Sequence, residues 1–346
     1  MRKTIAVIFG GRSSEYGVSL ESAYAVLTHL DHEKYHVIPV GITKQGDWFR
    51  YNGPYEKLPA DTWMLDRQQL VRVTVASSYS LHGLIEIRNT GISVVHLDLA
   101  FPVLHGKNGE DGTVQGVFEL AGIPIVGCGT LASALCMDKD RAHRLVEAAG
   151  VAVPKAVALD RTELVDLQEK TACLRYPVFV KPVRAGSSFG ITKVLAAEEL
   201  SQAVDRAFLH DDRVIIEENV DGFEVGCAVL GREELMVGRV DEIELAQGFF
   251  DYKEKYTLET AAIHMPARIT PQCESRIQET AKRIFKALDC SGFARVDMFL
   301  RPDGELVFNE VNTIPGFTAH SRYPNMLRGI GLDFPQMLER LLELYA

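Results

Sequence analysis

This sequence predicts an α/β fold of more than one domain that opens on a Rossmann-like parallel sheet. Three observations predict it. The chain alternates strand and helix from its first residues, glycine-bearing loops follow its strands, and 346 residues exceed what one ordinary core holds, so two or three domains are expected.

TIAVIF is the first strand. A loop follows at Gly10 and Gly11, then a helical stretch from Leu20 to Leu30, then the strand YHVIPVGI. This βαβ unit implies parallel neighbours with helices on the sheet faces. A less regular stretch comes next. The alternation resumes at DLAFPVLHG, with a helix from Thr113 to Ala121 and the strand IPIVGC, so the first domain should close near residue 130. One long helical pattern spans Leu131 to Ala149, with Gly150 as its stop signal. From VPKAVAL to IIEENV the order is strand, helix, strand, glycine loop, strand, helix, strand, a compact unit near the smallest domain size. The remainder is strand-rich, through EVGCAVL, ELMVGRVDEI, FARVDMFL and ELVFNEV, with helices from Cys273 to Leu288 and near the end. No repeat, low-complexity tract or Pro-rich linker separates these units, so close interfaces are expected.

Composition narrows the function classes. Hydrophobic content of 47% and charged content of 24% describe a soluble globular protein. A net charge of -10 without a Lys/Arg cluster argues against nucleic acid or an anionic membrane as the main partner. The apolar run in MRKTIAVIFGG breaks at Gly10 and Gly11 and lacks a small-residue cleavage site, so it reads as a strand and not a signal peptide. No apolar run approaches membrane-spanning length. The six cysteines form no CxxC pair and no metal-ligand spacing, so buried free thiols in a reducing cytoplasm are expected.

The densest chemistry stands near the C-terminus. Strand alternation puts Arg295 and Asp297 of FARVDMFL on one face, and Glu310 and Asn312 of ELVFNEVNTIPG on one face. If the strands pair across the turn at Pro302, Asp303 and Gly304, three oxygen ligands and a guanidinium converge on one point. That set suits Mg²⁺ held against a polyphosphate. The alternative is a salt-bridged hairpin, which ranks second because acids on apolar strands are costly to bury without a cation.

Five further segments carry polar patterns. In FVKPVRAGSSFGITKV, Lys181 ends a strand ahead of Gly186, Ser187, Ser188 and Gly190, an arrangement that can bind a phosphate or form an ordinary loop; the P-loop order is absent. In IIEENVDGFEVG, Glu217, Glu218 and Glu224 can receive a ribose, and the backbone from Glu218 to Val220 can read an adenine edge; a solvated edge is the alternative. In FGGRSSEYG, Ser13, Ser14 and Glu15 are substrate ligands or helix caps. In PVLHGKNGEDGTVQG, His105 follows a strand's carboxyl end, where open α/β sheets bind ligands, although a structural histidine fits as well. The segment from Gln247 to Glu259 mixes aromatics and charges without periodicity, as a lid or an exposed loop would.

The phrases LHGKNGEDGTVQG, MDKDRAH, VKPVRAGSSFG, DYKEKY, RVDMF and NEVNTIPGFTAHS, in this order and spacing, make the chain resemble the ATP-grasp superfamily. Within it, essentially the whole chain resembles the D-alanine–D-alanine ligase family, and in that family the VanG-type D-alanine–D-serine ligases of vancomycin resistance. The resemblance implies an N-terminal α/β domain over residues 1–130, a central ATP-grasp domain over 131–222 and a C-terminal one over 223–346, with 247–259 as a lid and ATP between the last two.

It also implies a reaction. The first D-alanine's carboxylate attacks the γ-phosphate of ATP, and the second amino acid's amine displaces phosphate from the acyl phosphate. By resemblance, Lys139, Lys181 and Ser188 hold ATP phosphates, Glu217 and Glu224 the adenine and ribose side, and Asp297, Glu310 and Asn312 two Mg²⁺ ions, for which Mn²⁺ can substitute. Glu15 binds the first ammonium, and Glu15, Ser187 and Tyr256 link the N-terminal domain to the lid. Arg295 and the Gly316 amide stabilise the oxyanion. Lys255 and Ser321 receive the second carboxylate, with His105 nearby. Tyr256 favours an amine nucleophile, since depsipeptide-forming relatives usually carry histidine there. Arg322 departs from the aliphatic residue of D-alanine-specific relatives and agrees with the serine-accepting group; its alternative role is a surface arginine paired with an acid. A homodimer in the cytoplasm, serving cell-wall precursor synthesis, completes the implied picture. A housekeeping D-alanine–D-alanine ligase, another ATP-grasp ligase and a non-catalytic nucleotide-binding regulator are the competing readings.

Overall fold

A computed structural model describes residues 2–163, 165–186, 189–245, 261–318 and 320–345. Strand β1 (Lys3–Gly10) pairs in parallel with β2 (Tyr35–Ile42) and, on its other side, with β7 (Leu99–Leu104). Alternation along β1 decides what each face buries. Ile5, Val7 and Phe9 pack with Leu20, Ala23, Val26 and Leu27 of helix α1 (Tyr16–His29), while Ala6 and Ile8 pack with Val114 and Phe118 of α2 (Thr113–Leu120).

The N-terminal sheet is mixed and not purely parallel. The stretch without clear pattern in the sequence supplies β3 (Trp48–Tyr51), β4 (Leu70–Val75), β5 (Gly83–Arg88) and β6 (Gly91–His96), which extend the sheet antiparallel in the order β6-β5-β4-β3-β2-β1-β7. Val71 and Val73 point inward and Arg72 and Thr74 outward along β4, the signature of a strand with one wet face.

The long helical pattern is two helices, α3 (Thr130–Met137) and α4 (Lys139–Ala148). Asp138 between them is extended, and its carboxylate accepts the Arg141 N–H at 3.0 Å as an N-cap, so a polar residue inside an apparently continuous pattern breaks it. The break makes Lys139 the first residue of α4.

A second sheet, in the order β10-β9-β11-β8, comprises β8 (Ala156–Asp160), β9 (Val178–Pro182), β10 (Thr192–Val194) and β11 (Arg213–Glu218), with the short α5 (Leu167–Thr171) and with α6 (Leu200–Ala207) filling its own core. The third sheet, β14-β13-β12-β15-β16, comprises β12 (Phe223–Gly231), β13 (Leu235–Leu245), β14 (Ala261–His264), β15 (Gly292–Leu300) and β16 (Leu306–Asn312). One of its faces buries side chains of α3, α4 and α7 (Pro271–Ala287).

Its other face joins the first sheet. Ala228, Leu230, Phe293, Phe317 and Tyr323 share a core with Val7, Phe101 and Val103, closed by α8 (Arg322–Arg328) and α9 (Phe334–Glu343). Phe317 is fully buried there, with ring centroids 5.9 Å from Phe101 and 5.2 Å from Phe293. Truncating such an aromatic costs roughly 3–5 kcal/mol, so the seam contributes substantially to holding the two sheets together. It sets the carboxyl ends of β1 and β7 against the loop after β16. Among the described residues, no helix is long and apolar enough to cross a membrane.

Candidate active site

The hairpin of β15 and β16 forms the floor. Arg295 lies opposite Asn312 and Asp297 opposite Glu310, joined through a turn in which Gly304 has φ +87°. A register shift follows Asp297, which pairs Met298 with Phe308 and leaves Asn309 as the extra residue. Strict alternation would set Phe308 on the face of Glu310. The bulge changes the phase, so Phe308 and Val311 both reach the apolar core while Glu310 and Asn312 line the cleft.

Arg295 and Asp297 share a face as their spacing predicts, with Nε to Oδ1 at 2.9 Å and Nη2 to Oδ2 at 2.7 Å. Burial acts to lower the Arg295 pKa, but Asp297 more than reverses this and holds it above its ordinary value.

Between the second and third sheets lies a cleft of about 510 Å³, lined by Lys139, Lys181, Glu217, Glu218, Val220, Glu224 and Glu310. Lys181 and Glu217 stand on neighbouring strands, and the ammonium reaches Glu217 Oε2 at 2.6 Å. Burial would raise the Glu217 carboxyl, yet Lys181 and His143 pull it below its usual range. Among the described residues its buried Oε1 has no hydrogen-bond partner, with His143 Nε2 nearby at 3.9 Å. Lys139 Nζ donates to Ala185 O at 2.7 Å, which ties α4 to the loop after β9. The Glu218 carboxylate binds Arg175 at 3.0 Å, which leaves its backbone as the nearer recognition surface for a base edge.

A second cleft of about 390 Å³ continues from the first, since Lys139, Ala185 and Glu310 line both. It gathers Glu15, His105, Arg295, Asn312, Gly316, Ser321 and Arg322. Glu15 occupies the N-cap position of α1 without making a side-chain cap bond, so capping does not explain it. The Ser321 Oγ accepts the Thr318 N–H at 3.0 Å. His105 is almost completely buried, and burial lowers its pKa against the opposing Glu15 charge.

Sequence reasoning missed Glu110, which lines this cleft and accepts the Gly106 N–H at 2.6 Å. Burial, followed by the charge of Glu15, pushes its carboxyl up to about 8. Its signal was present, an acid enclosed in the glycine-rich phrase after His105. Ser187, Ser188, Lys255 and Tyr256, with the segment 247–259, lie outside the described residues.

Arg322 is not a surface residue. Its side chain is 8% exposed and meets Asp241 at 2.7 Å, Glu224 at 3.1 Å and Asp297 at 3.3 Å. Burial acts to lower its pKa, and the three acids together raise it well above the ordinary value.

The hairpin's donor set fits a hard cation. Asp297, Glu310 and Asn312 offer two carboxylates and one amide oxygen at paired register positions. A shell of so few protein oxygens would be completed by substrate phosphates and water, as Mg²⁺ sites are. Asp297 would share its oxygens between the ion and Arg295.

Two sheets facing one another across a nucleotide-sized cleft, with Lys139 and Lys181 in its lining and a carboxylate-amide set beside it, define an ATP-grasp enzyme. The chain belongs to the D-alanine–D-alanine ligase family. Family models described as D-ala D-ala ligase N-terminus and C-terminus match residues 4–128 and 145–343. The chain is 43% identical to the vancomycin/teicoplanin A-type resistance protein VanA of Enterococcus faecium, over 99% of this chain and 98% of that protein. It is 40% identical to a D-alanine–D-alanine ligase of Caldicellulosiruptor bescii, over 98% and 94% of the two chains. The crystal structure of the VanG D-Ala:D-Ser ligase from Enterococcus faecalis superposes with a TM-score of 0.94 at 60% identity, covering 100% of both chains. Members of this family are ATP-dependent ligases, and so is this enzyme.

Proposed function

We propose that the enzyme joins D-alanine to D-serine through a D-alanyl phosphate, in the cytoplasm, to make altered cell-wall precursors that confer vancomycin resistance. The observation that carries the reading is the pair of clefts meeting at Lys139 and Glu310. The nucleotide occupies the cleft of Lys181 and Glu217, and the two amino acids occupy the cleft of Glu15, Arg295 and Ser321. The first D-alanine's carboxylate oxygen attacks the γ-phosphorus and ADP leaves. The second amino acid's amine, having lost a proton, adds to the acyl carbon, and the intermediate expels phosphate as the peptide bond forms. Arg295 and the Gly316 amide face the oxyanion. Asp297, Glu310 and Asn312 would hold two Mg²⁺ ions, or Mn²⁺ in their place, which neutralise phosphate charge when bound.

Arg322 favours serine. Held by Asp241 and Glu224 beside Ser321, it gives the amino-acid cleft a fixed polar wall in place of an apolar one, which supports a polar second side chain. The likeness to a D-Ala:D-Ser ligase at 60% identity supports the same choice. The relative in Caldicellulosiruptor bescii supports D-alanine as the second substrate instead. A mixed incubation with ATP, D-alanine and D-serine, followed by chromatography of both dipeptides, decides. Overwhelming D-alanyl-D-alanine would replace this reading with the housekeeping one. Sedimentation of the purified protein tests the homodimer.

A further inference from the structure

We propose that Ser22 is a positioning residue whose hydroxyl, together with His105, fixes the loop carrying the Gly316 backbone amide and so sets where that donor stands. The inference rests on the ligase reading above.

Ser22 is fully buried on α1, in the N-terminal part of the molecule, while the loop it holds belongs to the third sheet. Its Oγ accepts the Phe317 N–H at 3.2 Å and lies 3.4 Å from His105 Nε2. On the other side of Gly316, the Ile314 N–H donates to Asn312 Oδ1 at 3.2 Å. In the tautomer whose Nε2 is unprotonated, the imidazole would accept the Ser22 proton, and the hydroxyl would then donate once and accept once. Gly316 therefore sits between two anchored residues, Ile314 through Asn312 and Phe317 through Ser22. The ring of Phe317, locked between Phe101 and Phe293, removes the remaining freedom on that side.

The same face of α1 holds the opposite wall. Ser19, three residues earlier, donates to Val103 O at 2.5 Å and accepts the Gly10 N–H at 2.8 Å. One helix face thus positions the strand ends that carry His105 and the loop that carries Gly316. A backbone donor has no rotamer of its own, so its placement depends on such anchors. A displacement of about 1 Å at a reacting centre costs up to ~100-fold in rate.

A purely structural serine would satisfy a buried amide and affect stability alone. The test separates the two roles by comparing wild type, Ser22→Ala and Ser22→Thr, the last retaining the hydroxyl. The measurements are kcat, KM for ATP, the thermal midpoint, and amide hydrogen exchange over residues 314–317. Ser22→Ala should lower kcat about 10- to 100-fold with KM for ATP within about twofold, because the lost contact acts on the oxyanion and not on the nucleotide. Ser22→Thr should recover most of kcat, and the Phe317 amide should exchange faster in Ser22→Ala alone. Unchanged kcat in a folded Ser22→Ala, or rates in both variants that follow only the fall in midpoint, would overturn the proposal. A wild-type protein without ATP- and D-alanine-dependent phosphate release would sink the ligase reading instead, and hydrogen exchange would still decide whether Ser22 holds the loop.

Discussion

Arg322 at the start of α8 and Asp241 on β13 form a two-pronged ion pair, Nε to Oδ2 at 2.7 Å and Nη2 to Oδ1 at 2.8 Å. Asp241 is completely buried, and the same guanidinium reaches Glu224 on β12 and Asp297 on β15. Together with Arg295, which pairs with Asp297, this guanidinium compensates three acids that would otherwise repel one another. Arg322 is both a wall of the second cleft and a counter-charge to the acids around it.

Replacing Arg322 with methionine should therefore have two effects. Removing one partner of a buried ion pair costs about 3–5 kcal/mol, so the unfolding midpoint should fall markedly. In the folded fraction, D-alanyl-D-serine should fall relative to D-alanyl-D-alanine in a mixed incubation. A folded variant with an unchanged product ratio would remove Arg322 from substrate selection while leaving its structural role.

Gly226→Ala should damage the same cluster from the opposite side. A Cβ at this position would come within contact-forbidden range of Arg322 Nη2, Asp241 Oδ1 and Asp297 Oδ1. Overpacking of this kind costs typically about 1–3 kcal/mol, and displacing Asp297 should lower kcat as well. Denaturant unfolding together with ATP turnover checks both effects; wild-type values in each would show that the cluster can relax.

Glu310→Gln should nearly abolish ATP turnover with little change in fold. Glu310 lies where the two clefts meet and is paired in register with Asp297, so the substitution removes half of the carboxylate charge available to a cation there. Phosphate release near the wild-type rate would dissociate the hairpin from phosphoryl transfer.

Glu110 predicts a pH dependence of stability. Its folded carboxyl sits at about 8 against an ordinary 4.5, so between these values the native state keeps a proton that the unfolded chain has released. The associated stability is fully present below pH 4.5 and is lost as pH rises through about 8, by roughly 1.4 kcal/mol per pH unit at most. Glu110→Gln keeps an oxygen for the Gly106 N–H and cannot ionise. Unfolding free energies from pH 5 to 8 should decline more steeply in wild type than in the variant. Parallel profiles would mean that Glu110 is ionised in the fold.

Much of the site was legible locally. Residues two apart on a strand must share a face, so the pairing of Arg295 with Asp297 follows from the sequence, as does a hairpin turn at Gly304. Lys181 at a strand end and His105 beyond another were marked by the glycine loops after them. The antiparallel strands β3 to β6 were not legible, because short strands with one wet face between irregular connections carry little apolar signal. Asp138 hid its helix break inside a continuous helical period.

The sequence by itself determined the α/β class, the hairpin that pairs Asp297 with Glu310 and the membership of a ligase family, because periodicity reports which face of each element is buried and motif order is readable along the chain. Tertiary structure alone decided that Arg322 meets Asp241, 81 positions away, and that Ser22 holds Phe317, 295 positions away. It also decided that Glu110 is buried beside Glu15. The physical reason is that burial and charge compensation at these residues arise only when separate elements pack. A helix start such as Arg322 or a buried face such as that of Ser22 looks the same in sequence whether its partner is water, a carboxylate or the loop of another sheet.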